Sequence, residues 1–87
     1  MSITVELTYG MSKELGEQRF EVEGAHTVQD VIRLTRQRFG ARAATFDTLT
    51  RVAAVAVNGV LINHRHGMST PVADGDSVTF LKAAAGG

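Results

Sequence analysis

Apolar and polar residues alternate with a period of two in the N-terminal part of the chain. Residues 3–9 place Ile3, Val5, Leu7 and Tyr9 on one face and Thr4, Glu6 and Thr8 on the other. This pattern predicts a half-buried β-strand that ends at Gly10. Residues 19–23 repeat the alternation with Phe20 and Val22 directed inward, so they predict a second strand, closed by Gly24. Residues 11–16 predict a connector with room for one helical turn.

The spacing of apolar residues becomes helical at residues 28–39. One stripe of the predicted helix collects Val28, Val31, Ile32, Thr35 and Phe39. Thr27 and Asp30 have the spacing of a capping box, in which each side chain accepts a hydrogen bond from the other residue's backbone N–H. We therefore predict an amphipathic helix of about three turns, with Gly40 as a left-handed C-cap. Arg33 and Arg36 lie on the opposite face, which predicts a solvated surface rather than a binding patch.

The second half of the chain predicts a short helix followed by three strands. Residues 41–51 would form the helix, with Phe46 and Leu49 facing inward and Ala43 on the same side. Residues 53–57 are almost entirely apolar, which is typical of a central strand covered on both faces. Asn58-Gly59 is a strong hairpin signal, and residues 60–62 would form the return strand. After the turn at residues 74–76, residues 77–81 predict the last strand, with Val78 and Phe80 in the core.

The order of these elements predicts an α+β domain, because no βαβ unit is repeated. A mixed sheet of about five strands would pack on one main helix, which is the β-grasp or ubiquitin-like arrangement. We expect this domain to cover residues 1–82. Residues 83–87 would form a flexible C-terminal Gly-Gly tail.

Composition narrows the class of protein. The chain has 87 residues, 44% of them hydrophobic, and a formal net charge of zero. These values indicate a single folded domain and argue against nucleic-acid binding. The chain contains no cysteine, so disulfides, thiolate zinc sites and a cysteine nucleophile are excluded. It lacks a signal-peptide pattern and an apolar run long enough to span a bilayer. We expect a soluble cytoplasmic protein without membrane partners.

Side-chain chemistry gives little support for an enzyme. His64 and His66 would face one side of an extended segment, but two ligands do not complete a metal site, so we expect a solvated loop and no metal. Asp74 and Asp76 flank Gly75, and turn chemistry accounts for both. Neither a nucleophile elbow nor a phosphate-binding loop is present.

The chain ends in Ala83-Ala84-Ala85-Gly86-Gly87. Glycine has no Cβ, so two terminal glycines form a slim arm that another backbone can approach closely. The arm presents the α-carboxylate of Gly87, whose reference pKa is about 3.5, so this group is ionised at neutral pH. The alternative interpretation of the same residues is an ordinary frayed terminus.

Residues 55–59, residues 70–81 and the final Gly86-Gly87 together resemble the bacterial MoaD/ThiS-type sulfur-carrier family. That family includes the small subunit of molybdopterin synthase and the thiamine-biosynthesis sulfur carrier. The resemblance implies that an ATP- and magnesium-dependent activating enzyme adenylates the Gly87 carboxylate. A sulfurtransferase or cysteine desulfurase then supplies sulfur, which leaves a terminal thiocarboxylate for a sulfur-accepting synthase subunit. The carrier itself is not an enzyme and binds no cofactor.

The same resemblance suggests where partners bind. Besides the arm residues Ala84, Ala85 and Gly86, we expect a docking patch of Leu81, Leu61 and Met68, although ordinary core positions would also explain these leucines. The segment at residues 41–51 favours the molybdopterin type over the thiamine type. A carrier for thiamine, cysteine or another thio-metabolite, a modifier conjugated to lysine through Gly87, and a binding module with an irrelevant tail remain as alternatives.

Overall fold

A computed structural model describes residues 1–62 and 67–82 of the chain. Its elements are β1 (Ser2–Glu6), α1 (Tyr9–Leu15), β2 (Arg19–Glu23), α2 (Val28–Phe39), α3 (Ala43–Arg51), β3 (Ala53–Val57), β4 (Val60–Leu61) and β5 (Ser77–Lys82). Short 3₁₀ turns lie at Gly40–Arg42 and Gly67–Ser69. Within the described ranges the strands form one sheet in the order β2-β1-β5-β3-β4. The β1–β5 pair is parallel and the other pairs are antiparallel, so the predicted mixed sheet with one main helix is confirmed.

The core lies between one face of the sheet and the helices. Alternate residues of β1, β2 and β5 are buried, as the period-two pattern predicts, and Val78 on β5 lies opposite Val5 on β1. The four phenylalanines form a chain of ring contacts from β2 through α2 and α3 to β5. Ring centroids are 5.7 Å apart for Phe20–Phe39, 5.8 Å for Phe39–Phe46 and 5.9 Å for Phe46–Phe80. These contacts connect α3 to the central strand of the sheet.

The first strand is shorter than predicted and is followed by a full helix. Thr8 Oγ1 accepts a hydrogen bond from the Met11 N–H at 3.0 Å, which caps α1 at its N-terminus. Tyr9 therefore lies in a helix and is 72% exposed, so its predicted inward position in a strand was wrong. Gly10 lies inside this helix, which ends instead at Gly16. The cap and the buried pair Met11 and Leu15, four residues apart, outweigh the alternating pattern here.

Helix α2 has the predicted bounds and cap. Asp30 N–H donates to Thr27 Oγ1 at 3.2 Å, and Asp30 Oδ2 accepts from the backbone N–H of Thr27 at 3.3 Å and of His26 at 3.0 Å. The hydrogen bonds that the Asp30 carboxylate accepts, first from His26 and then from Arg33 and Thr27, lower the pKa of Asp30. Gly40 has φ +51° and ψ −105°, which is not left-handed helical, so that detail of the C-cap was wrong. The chain continues directly into a 3₁₀ turn.

The second helix and the hairpin are also confirmed. Helix α3 buries Phe46 completely and Leu49 partly. The turn between β3 and β4 has positive φ at Asn58 and Gly59, as an Asn-Gly hairpin requires. Strand β3 lies one position in from the edge rather than at the centre, which β5 occupies. No helix in residues 1–62 and 67–82 has both the length and the apolar character needed to cross a membrane.

We predict that Thr35→Val stabilises the fold by about 1 kcal/mol, because a buried hydroxyl without a hydrogen bond carries a desolvation cost. Thr35 is fully buried on α2, and its Oγ1 has no hydrogen-bond partner in the described part of the chain. Valine has nearly the same shape and no polar atom. Chemical denaturation measures the change. Thr48→Val is the matched control, since the exposed Thr48 hydroxyl donates to the Ala44 carbonyl. An equal or larger gain in that control would contradict the explanation.

Candidate functional site at the end of strand β5

The predicted reactive group and arm lie outside the described residues. These residues are Gly87, Gly86, Ala85 and Ala84, and the same holds for His64 and His66. The last described residue is Lys82, which ends β5 opposite Ala53 of β3. The geometry that can be described is therefore the surface from which residues 83–87 continue.

Strand β5 is held firmly in the middle of the sheet. Val78 and Phe80 are almost completely buried. Pairing with β1 reaches only as far as Thr79, whereas pairing with β3 continues to Lys82. The last residues of β5 therefore extend past the end of β1. The fold fixes the position at which the C-terminal arm begins.

The Asn-Gly and Asp-Gly-Asp motifs meet at the other end of β5. Asp76 Oδ1 accepts from Asn58 Nδ2 at 3.0 Å, and its Oδ2 accepts from the Ala73 N–H at 2.8 Å. The Ser77 N–H donates to Asn58 Oδ1 at 2.9 Å. Asp74 Oδ1 accepts from the Ser2 N–H at 2.7 Å. These bonds connect the hairpin, β1 and the start of β5, which gives the motif residues a role in the fold rather than in chemistry at Gly87.

We predict that the folding stability of the Asp76→Asn variant depends less on pH in the acidic range than that of the wild type. The hydrogen bond from Asn58, followed by that from Ala73, lowers the pKa of Asp76 below its ordinary 3.8. A lowered pKa in the folded state stabilises the fold above the unfolded-state pKa, and this contribution is lost as pH falls through the folded-state value. Thermal melts of the wild type and variant from about pH 6 to about pH 2 measure the effect. Parallel profiles for the two proteins would contradict it.

The three residues of the predicted docking patch are exposed. The exposed fraction is 61% for Leu61, 51% for Met68 and 40% for Leu81. Leu81 lies opposite Ala54, and Leu61 lies opposite Ala56, so both leucines share the outer face of the sheet. We call Leu81, Ala54, Ala56 and Leu61 the outer-face strip.

Met68 belongs to a different part of this surface. It lies in the 3₁₀ turn Gly67–Ser69 and, together with Leu61, borders a groove of about 640 Å³ beside α3 and β3. Leu61 therefore shares the outer face of the sheet with Leu81 and the border of this groove with Met68. That any of them binds a partner stays a prediction.

A second groove, absent from the prediction, lies where β5 ends. It has a volume of about 630 Å³. We call it the β5 groove, and its main lining residues are Thr8, Tyr9, Leu49, Val52, Leu81 and Lys82. Tyr9 is 72% exposed and Val52 is 69% exposed. The Thr8 cap and the spacing of Met11 and Leu15 were the sequence signals that could have placed Tyr9 on a helix.

Metal binding finds no support in the described ranges. No group of three or more His, Asp or Glu side chains there could hold a metal ion. Two of the ion pairs connect different parts of the fold, namely Arg36–Asp47 between α2 and α3 and Arg38–Glu17 between α2 and the segment after α1. Arg38 and Glu17 form a two-bond pair at 2.8 and 2.9 Å, which lowers the pKa of Glu17 mainly through the hydrogen bonds from Arg38.

This sheet order, with a main helix packed on one face, defines a β-grasp, ubiquitin-like domain. Residues 9–87 match the model of the ThiS family, and the chain belongs to that family. It is a family of ubiquitin-like sulfur carriers and modifiers, whose members are small carrier subunits rather than catalysts. The predicted MoaD/ThiS-type resemblance is thereby confirmed. None of the curated proteins compared with the chain matches it.

Several solved structures share this fold. The chain is 30% identical to a chain in the Amycolatopsis orientalis BexX/CysO complex, with coverage of 98% of this chain and 99% of that one and a TM-score of 0.75. It is 24% identical to a chain in the Helicobacter pylori complex of molybdopterin-converting factor subunits 1 and 2, with full coverage of both and a TM-score of 0.66. It is 18% identical to the small archaeal modifier protein 1 of Methanosarcina acetivorans, with 99% and 96% coverage and a TM-score of 0.75. The latter two similarities concern the fold alone.

Proposed function

We propose that this protein is a sulfur carrier that bears sulfur as a thiocarboxylate on Gly87. The observation that supports this proposal best is the family match, which runs to the terminal Gly87. The structure adds that the arm follows directly from the central strand of the sheet. The fold supplies a rigid base, and the reacting atoms belong to the main chain.

The chemistry requires activation of a stable carboxylate. A carboxylate oxygen of Gly87 attacks the α-phosphorus of ATP, pyrophosphate leaves, and an acyl adenylate forms on the activating enzyme. Magnesium belongs to that enzyme. Hydrosulfide then attacks the acyl carbon, AMP leaves, and a thiocarboxylate results. In the cell, a sulfurtransferase or cysteine desulfurase supplies the sulfur. Because Gly86 and Gly87 lack side chains, the carboxylate can enter a narrow active site.

The first acceptor that we propose is the molybdopterin precursor, bound to the large subunit of a synthase. Helix α3, at the segment that distinguishes the molybdopterin type from the thiamine type, supports this choice. The second class of acceptor is the precursor of thiamine, cysteine or another thio-metabolite. It is favoured because the 30% identity to a chain in the BexX/CysO complex exceeds the 24% identity to a chain in the molybdopterin-converting factor complex.

Both neighbours were solved as complexes of two different proteins. We propose that this chain also docks on its acceptor enzyme, through the arm and the outer-face strip.

Intact-mass spectrometry tests the carrier function. The chain is incubated with the purified activating enzyme of the same organism, ATP, magnesium and sodium hydrosulfide. We expect a mass gain equal to the replacement of one oxygen by sulfur, and its loss when ATP is omitted. A chain that keeps its original mass under all conditions would contradict the proposal. Larger adducts on lysine residues of other proteins, formed without sulfur, would identify a modifier instead.

A further inference from the structure

Enzymes that act on Gly87 must come close to the β5 groove. Five residues follow Lys82, and a fully extended segment of this length spans at most about 18 Å. Leu81 and Lys82 form part of the groove lining, and Lys82 is the last described residue before the arm. An active site that encloses the terminal carboxylate therefore lies within about 18 Å of Lys82, which lines the groove.

The groove presents apolar side chains that no described residue covers. Tyr9 projects from the first turn of α1, and Val52 follows the last residue of α3. Tyr9 is 72% exposed and Val52 is 69% exposed. Among the large apolar side chains of the described residues, Tyr9 is the most exposed, and Val52 and Val60, both at 69%, come next. Tyrosine offers a large contact area at low entropic cost, and such residues are enriched where proteins meet. The groove that Tyr9 and Val52 line has a volume of about 630 Å³, which leaves room for an apolar side chain of a partner.

The charges beside the groove indicate the sign of the partner. The chain has two lysines, Lys13 and Lys82, and both are here. Lys82 lines the groove, and Lys13 Nζ lies 5.7 Å from the centroid of the Tyr9 ring. Neither forms an ion pair in the described part of the chain, and Glu14 is the carboxylate in the lining. Lys82 and Glu14 balance each other within the lining, and Lys13 beside Tyr9 adds a positive charge at its border, so the groove with its border holds two lysines against one carboxylate.

The arginines of α2 differ from these lysines. Arg33, Arg36 and Arg38 each pair with a carboxylate of this chain. Their charges are largely neutralised within the domain, whereas those of Lys13 and Lys82 are available for an incoming protein. Complementary charge speeds association and fixes orientation more than it adds affinity.

We propose that the activating enzyme docks on the β5 groove with an apolar side chain bordered by carboxylates. This inference rests on the proposed carrier function, and it adds a docking surface and the chemistry of the partner. The groove differs from the outer-face strip, although the two surfaces share Leu81. Docking here would hold the base of the arm while Gly87 reaches the nucleotide.

A pair of exposed valines offers a matched test. Val52→Asp places a charge in the groove, and Val60→Asp places the same charge on β4, at a side chain with the same 69% exposure. Sulfur loading of each full-length variant is measured with the activating enzyme, ATP and hydrosulfide over a range of carrier concentrations. We expect Val52→Asp to raise KM about tenfold or more with kcat nearly unchanged, because docking contributes binding energy equally to ground and transition states. Val60→Asp should match the wild type.

Charge reversal supplies an independent test. The double variant Lys13→Glu and Lys82→Glu should lower kcat/KM and weaken its dependence on salt, since steering by unlike charges is screened by ions. Arg33→Glu, which reverses an exposed charge on α2 that is not among the lining residues of the groove, is the control. Circular dichroism confirms that all variants are folded.

The outcomes separate the docking surface from the carrier function. If the wild type is never loaded with sulfur, the proposed function as a sulfur carrier is itself wrong. Normal loading of the wild type together with an unchanged KM for Val52→Asp overturns the docking proposal and leaves the carrier function intact. Impairment by Val60→Asp with normal loading of Val52→Asp also overturns it, because the partner would then contact the hairpin side of the sheet.

Discussion

Removal of Gly86 and Gly87 is expected to abolish sulfur loading while the fold remains stable. Among the described residues the last strongly buried one is Phe80, and Leu81 and Lys82 beyond it are already exposed. The deletion removes no core contact seen in the described residues. It moves the terminal carboxylate back by two residues, about 7 Å in an extended chain, which is far outside the tolerance of a reacting geometry. Intact-mass spectrometry and a thermal melt of the same sample check both parts of this expectation.

Two control variants test whether sulfur loading depends on the position of the terminal carboxylate or on the groups beside it. One alanine added after Gly87 keeps a terminal carboxylate but displaces it by about 3.5 Å. Gly87→Ala keeps the length of the arm and adds one methyl group beside the reacting atom. We expect both variants to lose most of their loading and the deletion to lose all of it. Normal loading of the deletion variant would show that the Gly87 carboxylate is not the reacting group.

The sequence predicted best those elements whose signals are local. The bounds of β2, the capping box at Thr27 and Asp30, and the positive φ values of Asn58 and Gly59 depend on residues close together in the chain. Each signal also agrees with the hydrophobic pattern around it. Such agreement between local chemistry and burial is what makes an element predictable.

The N-terminal segment shows where this approach fails. Tyr9 continues the alternation of Ile3, Val5 and Leu7, so a period-two pattern assigns it to the same buried face. The structure instead uses Thr8 as a helix cap and turns the chain away from the sheet. Two valid patterns overlap at Leu7 and Thr8, and tertiary packing of Met11 and Leu15 decides between them. That decision places Tyr9 on the surface.

The candidate site was predicted only in part for a related reason. Leu61 and Leu81 have outward positions that follow from strand register, which the sequence does not specify. The β5 groove combines residues from α1, the end of α3 and the end of β5. No local pattern reports that these three segments meet, so Val52 carried no functional signal before the structure was known. The terminal Gly-Gly, by contrast, is visible in any reading of the sequence.

The arm and the groove depend on a core that reaches the central strand through α3. Phe46 and Phe80 are the largest fully buried side chains of the described residues, and Phe46 contacts the rings of Phe39 and Phe80. Phe80 precedes Leu81 and Lys82 on β5, while Leu49 and Val52 of the groove lie within two turns after Phe46. Loss of the Phe46 ring therefore weakens the support beneath both sides of the groove.

We expect Phe46→Ala to destabilise the domain by about 3–5 kcal/mol, because the loss of a buried aromatic ring combines a transfer cost with a cavity. Domains of this kind are stable by about 5–15 kcal/mol, so a large part of the folding free energy would be lost. Urea denaturation measures the change, and Val60→Ala, an exposed residue, is expected to alter stability by less than about 0.5 kcal/mol. A cost below about 1 kcal/mol for Phe46→Ala would show that α3 does not share the core with β5. Partial unfolding of this variant should also reduce sulfur loading, although Gly87 and the arm are unchanged.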